Sequence, residues 1–177
     1  MTQSLILSNP VQLQKKHFPG IFSQLTQDLM GETCTQIHFS YGDELCLDFG
    51  ELSPYHHPKL RHLLEGEWIL CTRATPWKIY ENQKLILDSE IPQTDEEIEE
   101  AKELAKEKLQ GKILVNLEID GEMLTTSLHF DDRYSLVLYP DLDDEYLQHW
   151  VLFMPSEQVL AIGPGYTWSC KSINDRY

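Results

Sequence analysis

Basic residues are scarce in this sequence: 14 Lys and Arg stand against 29 Asp and Glu, for a formal charge of −15. A field of that sign repels phosphate backbones and anionic lipid, so neither nucleic acid nor a membrane surface is an expected partner. Long apolar runs are missing as well. No stretch approaches the roughly 20 residues needed to cross a bilayer. The opening segment Met-Thr-Gln-Ser-Leu-Ile-Leu-Ser has no basic region ahead of its short apolar stretch, unlike a secretory leader. The four cysteines, Cys34, Cys46, Cys71 and Cys170, include no CxxC spacing, which removes a zinc knuckle or a thioredoxin-like motif. Cys46 and Cys71 sit inside apolar runs and are expected as buried free thiols. Free thiols without an export signal predict a cytoplasmic protein. The sequence also lacks a Gly-x-Ser-x-Gly elbow and a cysteine in a nucleophile context. No cofactor is implied, and the balance leans away from an enzyme.

What is present is an ordinary globular composition. Its 4 Trp, 8 Tyr and 6 Phe are incompatible with a disordered chain, and 177 residues suffice for a core without metal or disulfides. The strongest local pattern runs from 94 to 111. Thr94 and Glu97 form a capping box, Asp95 and Glu96 lie at the positive end of the helix dipole, and Lys106 and Lys108 lie at the negative end. Gly111 suits the left-handed residue after the last turn. Ile98, Ala101, Ala105 and Leu109 make one narrow apolar stripe, so this helix lies on a surface with its charges in water. A second helix is expected from Phe18 to Gly31, with Phe18, Ile21, Leu25 and Leu29 as its stripe. The remaining apolar runs are short, alternate, and are separated by turn residues: 36–39, 44–49, 68–72, 77–80 and 84–87, then 113–119, 123–130, 135–139, 150–153 and 158–162. Short strands without intervening helices imply antiparallel sheet.

The two halves of the chain match. Ile98, Ala101, Ala105, Leu109 and Gly111 repeat Phe18, Ile21, Leu25, Leu29 and Gly31 at a constant offset of 80, as in 111 − 31. Leu117 and Ile119 follow Ile37 and Phe39 at the same offset. After a gap of one, Leu128-His-Phe130 matches Leu47-Asp-Phe49, and later Trp150-Val-Leu-Phe153 matches Trp77-Lys-Ile-Tyr80. The expected fold is therefore α+β. It comprises an N-terminal segment 1–16, a first unit 17–88 and a second unit 94–177 with a C-terminal extension, packed as one body. Each unit is one helix followed by four or five short antiparallel strands. The linker is Asp88-Ser-Glu-Ile-Pro-Gln93.

Candidate sites are few. Tyr55-His56-His57-Pro58 with His62 is the richest titratable cluster, but no flanking Cys or carboxylate completes a metal set for His56, His57 and His62, and an exposed loop is the simpler reading. Asp141-Leu-Asp143-Asp144-Glu145 begins like a calcium loop without its glycine or terminal glutamate, and reads as an acidic turn. Gly163-Pro-Gly165 is too short for a phosphate loop. The tail that follows carries Tyr166 and Trp168, and this segment, Gly163, Gly165, Tyr166 and Trp168, is the candidate partner-binding surface. The competing reading folds the tail back as an extra strand. The function expected is a protein-binding module, an adaptor or an immunity-type inhibitor of a basic partner, as monomer or homodimer. The alternative is a small enzyme or ligand-binding protein with a site in the cleft between the units.

Overall fold

A computed structural model of the chain describes residues 7–12, 18–55, 57–73, 75–131 and 133–174. It is a mixed α+β protein with antiparallel sheets. The elements in chain order are β1 (Leu7–Gln12), α1 (Phe18–Thr26), β2 (Cys34–Phe39), β3 (Leu45–Phe49), β4 (Ser53–Pro54), β5 (Leu64–Glu65), β6 (Trp68–Thr72), β7 (Trp77–Glu81), β8 (Lys84–Asp88), α2 (Asp95–Leu109), β9 (Leu114–Ile119), β10 (Thr126–Phe130), β11 (Tyr134–Leu138), β12 (Trp150–Phe153), β13 (Gln158–Ile162) and β14 (Thr167–Ser172). One sheet has the order β1-β14-β13-β12-β6-β3-β2, the other β8-β7-β11-β10-β9, and β4 and β5 form a small hairpin of their own.

The second helix forms as its sequence dictates. Thr94 Oγ1 accepts from the Glu97 N–H and the Glu97 carboxylate accepts from the Thr94 N–H, which completes the capping box. Gly111 follows the last turn at φ +81°. The first helix is shorter than its apolar stripe suggested. It stops at Thr26, whose hydroxyl donates back to the Phe22 carbonyl, and Gln27–Leu29 continues as a single 3-10 turn.

Each sheet is built around a row of apolar residues facing inward. In the first sheet Ile37, Leu47, Leu70, Leu152 and Leu160 are successive cross-strand neighbours, all buried. In the second, Leu117, Leu128, Leu136 and Ile79 form the same kind of row. Burying one such leucine contributes about 2 kcal/mol. The sheets meet through Phe49 of β3 and Phe130 of β10, stacked with centroids 6.5 Å apart.

The expected units do not form one sheet each. β7 and β8 leave β2, β3 and β6 behind and continue the other sheet beside β11, while β12 and β13 leave β9 to β11 and pair beside β6. A three-stranded sheet with one helix has too little surface to bury, and this exchange makes each half complete the other's sheet. The hydrogen bonds at the junction come in reciprocal pairs. Gly31 N–H donates to Leu114 O and Gly111 N–H to Cys34 O; Cys34 N–H donates to Lys112 O and Leu114 N–H to Glu32 O. Thr33 bridges Ile113 between them. At the two sheet-to-sheet crossings, Arg73 N–H donates to His149 O and Tyr139 N–H to Pro76 O, both at 2.8 Å.

One sequence expectation is corrected here. Cys46 and Cys71 are not free thiols: they stand opposite each other on β3 and β6, with Cα atoms 4.2 Å apart, and are disulfide-bonded. The sequence hid this because 25 residues separate them and only strand pairing brings them face to face. Cys34 and Cys170 remain free and buried, and burial pushes both thiols up, that of Cys34 with help from the Asp48 charge. Neither is an activated nucleophile. Among the described residues no helix is long and apolar enough to cross a membrane.

Candidate interaction surface

The two crossings between sheets differ in length. The first passes from Arg73 to Pro76 and the second from Tyr139 to His149, which is seven residues longer (149 − 139 against 76 − 73). The extra chain holds Asp141, Asp143, Asp144 and Glu145, followed by Tyr146 and Leu147. Its order comes from its own side chains. Asp144 Oδ1 accepts from the N–H groups of Tyr146 at 2.8 Å and Leu147 at 3.0 Å, and Asp141 Oδ1 accepts from Asp143 N–H. The Leu147 and Tyr146 N–H groups hold the Asp144 carboxyl below its usual range. Leu142 packs against the core and anchors the loop from below. Tyr146 is left 90% exposed and Leu147 54%.

The candidate tail turn lies against this loop. Gly165 N–H donates to Asp144 O at 2.8 Å. Gly163 and Gly165 both have positive φ, +89° and +52°. A Cβ on Gly163 would lie 2.7 to 2.9 Å from the ring and backbone nitrogen of His149, so the chain passes here only as glycine. His149 is buried, its Nε2 lies 2.9 Å from Gly165 O, and its own carbonyl accepts from the Thr75 hydroxyl. Sequence reasoning missed this histidine. Its signal was the position directly ahead of Trp150, where a strand start needs its polar groups satisfied.

Of the residues singled out in the sequence, Tyr166 is 39% exposed beside the acidic loop, whereas Trp168 is 4% exposed, with its ring 5.0 Å from that of Phe18. Trp168 is therefore a core residue and not a surface contact: the tail folds back as β14, pairing with β13 on one side and β1 on the other. Gly163 and Gly165 shape the turn and offer no side chain. His57 caps a 3-10 turn at Pro58–Leu60, its Nδ1 accepting from Lys59 N–H. His62 is exposed, and His56 lies outside the described residues. Among the described residues no group of three or more His, Cys, Asp or Glu is gathered to hold a metal ion.

A second polar feature lies under the β4–β5 hairpin. Asp48 is fully buried in β3; its Oδ1 accepts from Gly66 N–H at 3.2 Å and its Oδ2 lies 3.1 Å from His38 Nδ1, close but not aligned as a hydrogen bond. A Cβ at Gly66 would stand 2.8 Å from Phe49 O, so only glycine lets the chain come this close to β3. The Gly66 N–H bond to Asp48 ties the hairpin's return to β3.

A third feature is a cleft of about 230 Å³ between the β2–β3 turn, the start of β7 and Ser89–Glu90, beside a recess of about 120 Å³ under α2. Asp43, Trp77 and Ser89 line both parts. Phe39 closes the recess with its ring centroid 6.3 Å from that of Trp77.

No known protein-family model matches this chain, and no curated protein and no solved structure matches it either.

Proposed function

We propose that the protein is a protein-binding module, an adaptor or an immunity-type inhibitor, that presents the 141–147 loop with Tyr146 and Tyr166 to a basic partner. The observation that carries this reading is the loop itself. Relative to the first crossing it is extra chain, it is tied down at Asp144 and Gly165, and it leaves a tyrosine 90% exposed among four acidic residues. Exposed tyrosine on an ordered loop is the kind of group that dominates interface energetics, and surrounding carboxylates speed encounter with a positively charged surface. The overall charge of −15 adds to that steering.

The same reading takes the scaffold as a duplicated unit, now fused, whose additions carry the function. Support comes from the reciprocal hydrogen bonds at Gly31 and Gly111 and at Cys34 and Leu114, which keep the offset of 80 (111 − 31 and 114 − 34), and from the exchanged bonds at the two crossings. The strand registers agree as well: Ile37 opposes Leu47 as Leu117 opposes Leu128. A cytoplasmic location would require Cys46–Cys71 to stay paired in a compartment that keeps most cysteine pairs reduced.

The test is capture from the native host by photo-crosslinking from the loop. With the crosslinker at Leu147, in parent and variant alike, a basic protein should be captured at low salt and less of it as salt rises, and the variant Asp143→Asn/Glu145→Gln/Tyr146→Ala should lose it while melting like the parent. Capture of the same protein by parent and variant alike would sink the assignment. The ligand-binding alternative rests on the Trp77 cleft, which is lined by the first half and the linker and reaches α2 only through its side recess.

A further inference from the structure

The two ends of the core are built on the same plan and finished differently. Under α1, the rings of Phe18 and Phe22 fill the space beside Trp150, with Phe22 edge-on to Trp150 at 6.0 Å, and Leu124 is completely buried. Trp150 opens β12 as Trp77 opens β7, and each stands opposite the end of the strand that leads into a crossing, Thr72 and Leu138 respectively. Under α2 the residues at the positions of Phe18, Ile21 and Phe22 are Ile98, Ala101 and Lys102, each 80 further on. An alanine and a lysine in place of an isoleucine and a phenylalanine leave a recess of about 120 Å³ under α2, which shares Asp43, Trp77 and Ser89 with the 230 Å³ cleft.

The walls state what that space accepts. Trp77 lines both parts, Phe39 joins it in the recess, and Asp43, Glu44 and Glu90 bring carboxylates to the cleft. The protein already places one cation in the adjoining recess. Lys102 Nζ lies 2.7 Å from Asp43 Oδ1, 2.7 Å from Glu99 Oε1, and 5.6 Å from the centroid of Phe39. An ammonium held between carboxylates and a ring face is the arrangement that recognises organic cations. Arg73 approaches from the other side, 3.0 Å from Glu44. Glu90 is exposed and makes no close ion pair among the described residues, though its charge reaches Lys78, so the mouth keeps an acidic group for a further cation. The main volume, about 230 Å³, is smaller than that of a drug-sized site and suits a group the size of one side chain.

We propose that the Trp77 cleft is a binding site for a compact organic cation, an alkylammonium or guanidinium group, seated against Trp77 with Asp43 and Glu90 as its counter-charges. It is separate from the 141–147 loop, so its failure leaves the partner surface untouched. The same chemistry belongs to a free amine or guanidine and to a lysine or arginine side chain of a protein.

The experiment is a titration of the full chain followed by two-dimensional NMR at the indole N–H of Trp77, with that of Trp150 as internal control. The probes are n-butylammonium, ethylguanidinium, neutral n-butanol, and the capped peptide acetyl-Gly-Arg-Gly-amide. The two cations should give saturable shifts at Trp77 and none at Trp150, and n-butanol should not saturate. Glu90→Gln should weaken binding about two- to fivefold, the size of one exposed charge pair. Lys102→Met, which removes the resident ammonium and frees Asp43, should tighten it. Peptide binding as tight as that of ethylguanidinium assigns the cleft to a partner's side chain; failure of the peptide where ethylguanidinium binds assigns it to a free small molecule. Equal binding of n-butanol, no saturable shift with either cation, or weaker binding by Lys102→Met overturns the proposal. If Lys102→Met does not fold, Glu90→Gln and the n-butanol comparison decide it.

Discussion

Replacing Gly163 with alanine tests how tightly the tail turn is built into the molecule. The residue sits at φ +89°, a region that costs an L-residue with a Cβ about 1–2 kcal/mol. The new methyl group would also stand 2.7 Å from His149 Cδ2 and 2.8 Å from its backbone nitrogen. Neither contact is easily relieved. The His149 N–H is committed to Ile162 O at 2.7 Å, and its ring nitrogen to Gly165 O at 2.9 Å. Overpacking of that kind adds roughly 1–3 kcal/mol, so the total is about 2–5 kcal/mol. For a chain of this length each kcal/mol lowers the melting temperature by about 2–4 °C, so a drop on the order of 10 °C is expected. Gly31 and Gly111 provide the controls. They sit at φ +91° and +81° with nothing within 4 Å of a Cβ, so alanine there meets the backbone strain without the clash. Denaturant unfolding of the three variants, with equal slopes, should give two similar small losses and one clearly larger loss at Gly163. Three equal losses would refute the claim that the His149 contact, and not backbone strain alone, demands glycine at 163.

Two further outcomes follow from the same structure. Closing the loop between Cys46 and Cys71, 25 residues apart, restricts the unfolded chain by about 3 kcal/mol, so reduction or Cys71→Ser should lower the melting temperature by roughly 6–12 °C; an unchanged melt would show that the pair contributes nothing. Asp88 accepts from Lys78 at 2.7 Å, and that hydrogen bond, with the one from Glu90 N–H, holds its carboxyl below the ordinary range. A depressed carboxyl contributes stability that is fully present above its unfolded value of about 4 and is lost as pH falls through its folded value. The stability gap between the parent and Asp88→Asn should therefore be widest above about pH 5 and close as the solution is acidified; a gap that stays constant with pH would remove the ion pair from the account.

The sequence by itself determined the local elements. The capping box at Thr94, the glycine after each helix and the alternation in runs such as 68–72 and 150–153 act within a few residues, so they are readable without a fold. The apolar rows on both sheets were readable for the same reason. Strand exchange was not. Whether β7 continues its own sheet or the other depends on which edge is free, and that is decided by packing between segments far apart in sequence. The same distance hid Cys46–Cys71, the Asp48 and His38 pair, and His149 under Gly163. Trp168 shows the limit most directly: its type marked it for a surface or a core, and only the pairing of β14 with β13, which turns its ring onto Phe18, decided for the core. Tyr166, two residues earlier, precedes that strand and stays half exposed, because the turn at Gly163 and Gly165 ends before the chain is drawn into the sheet.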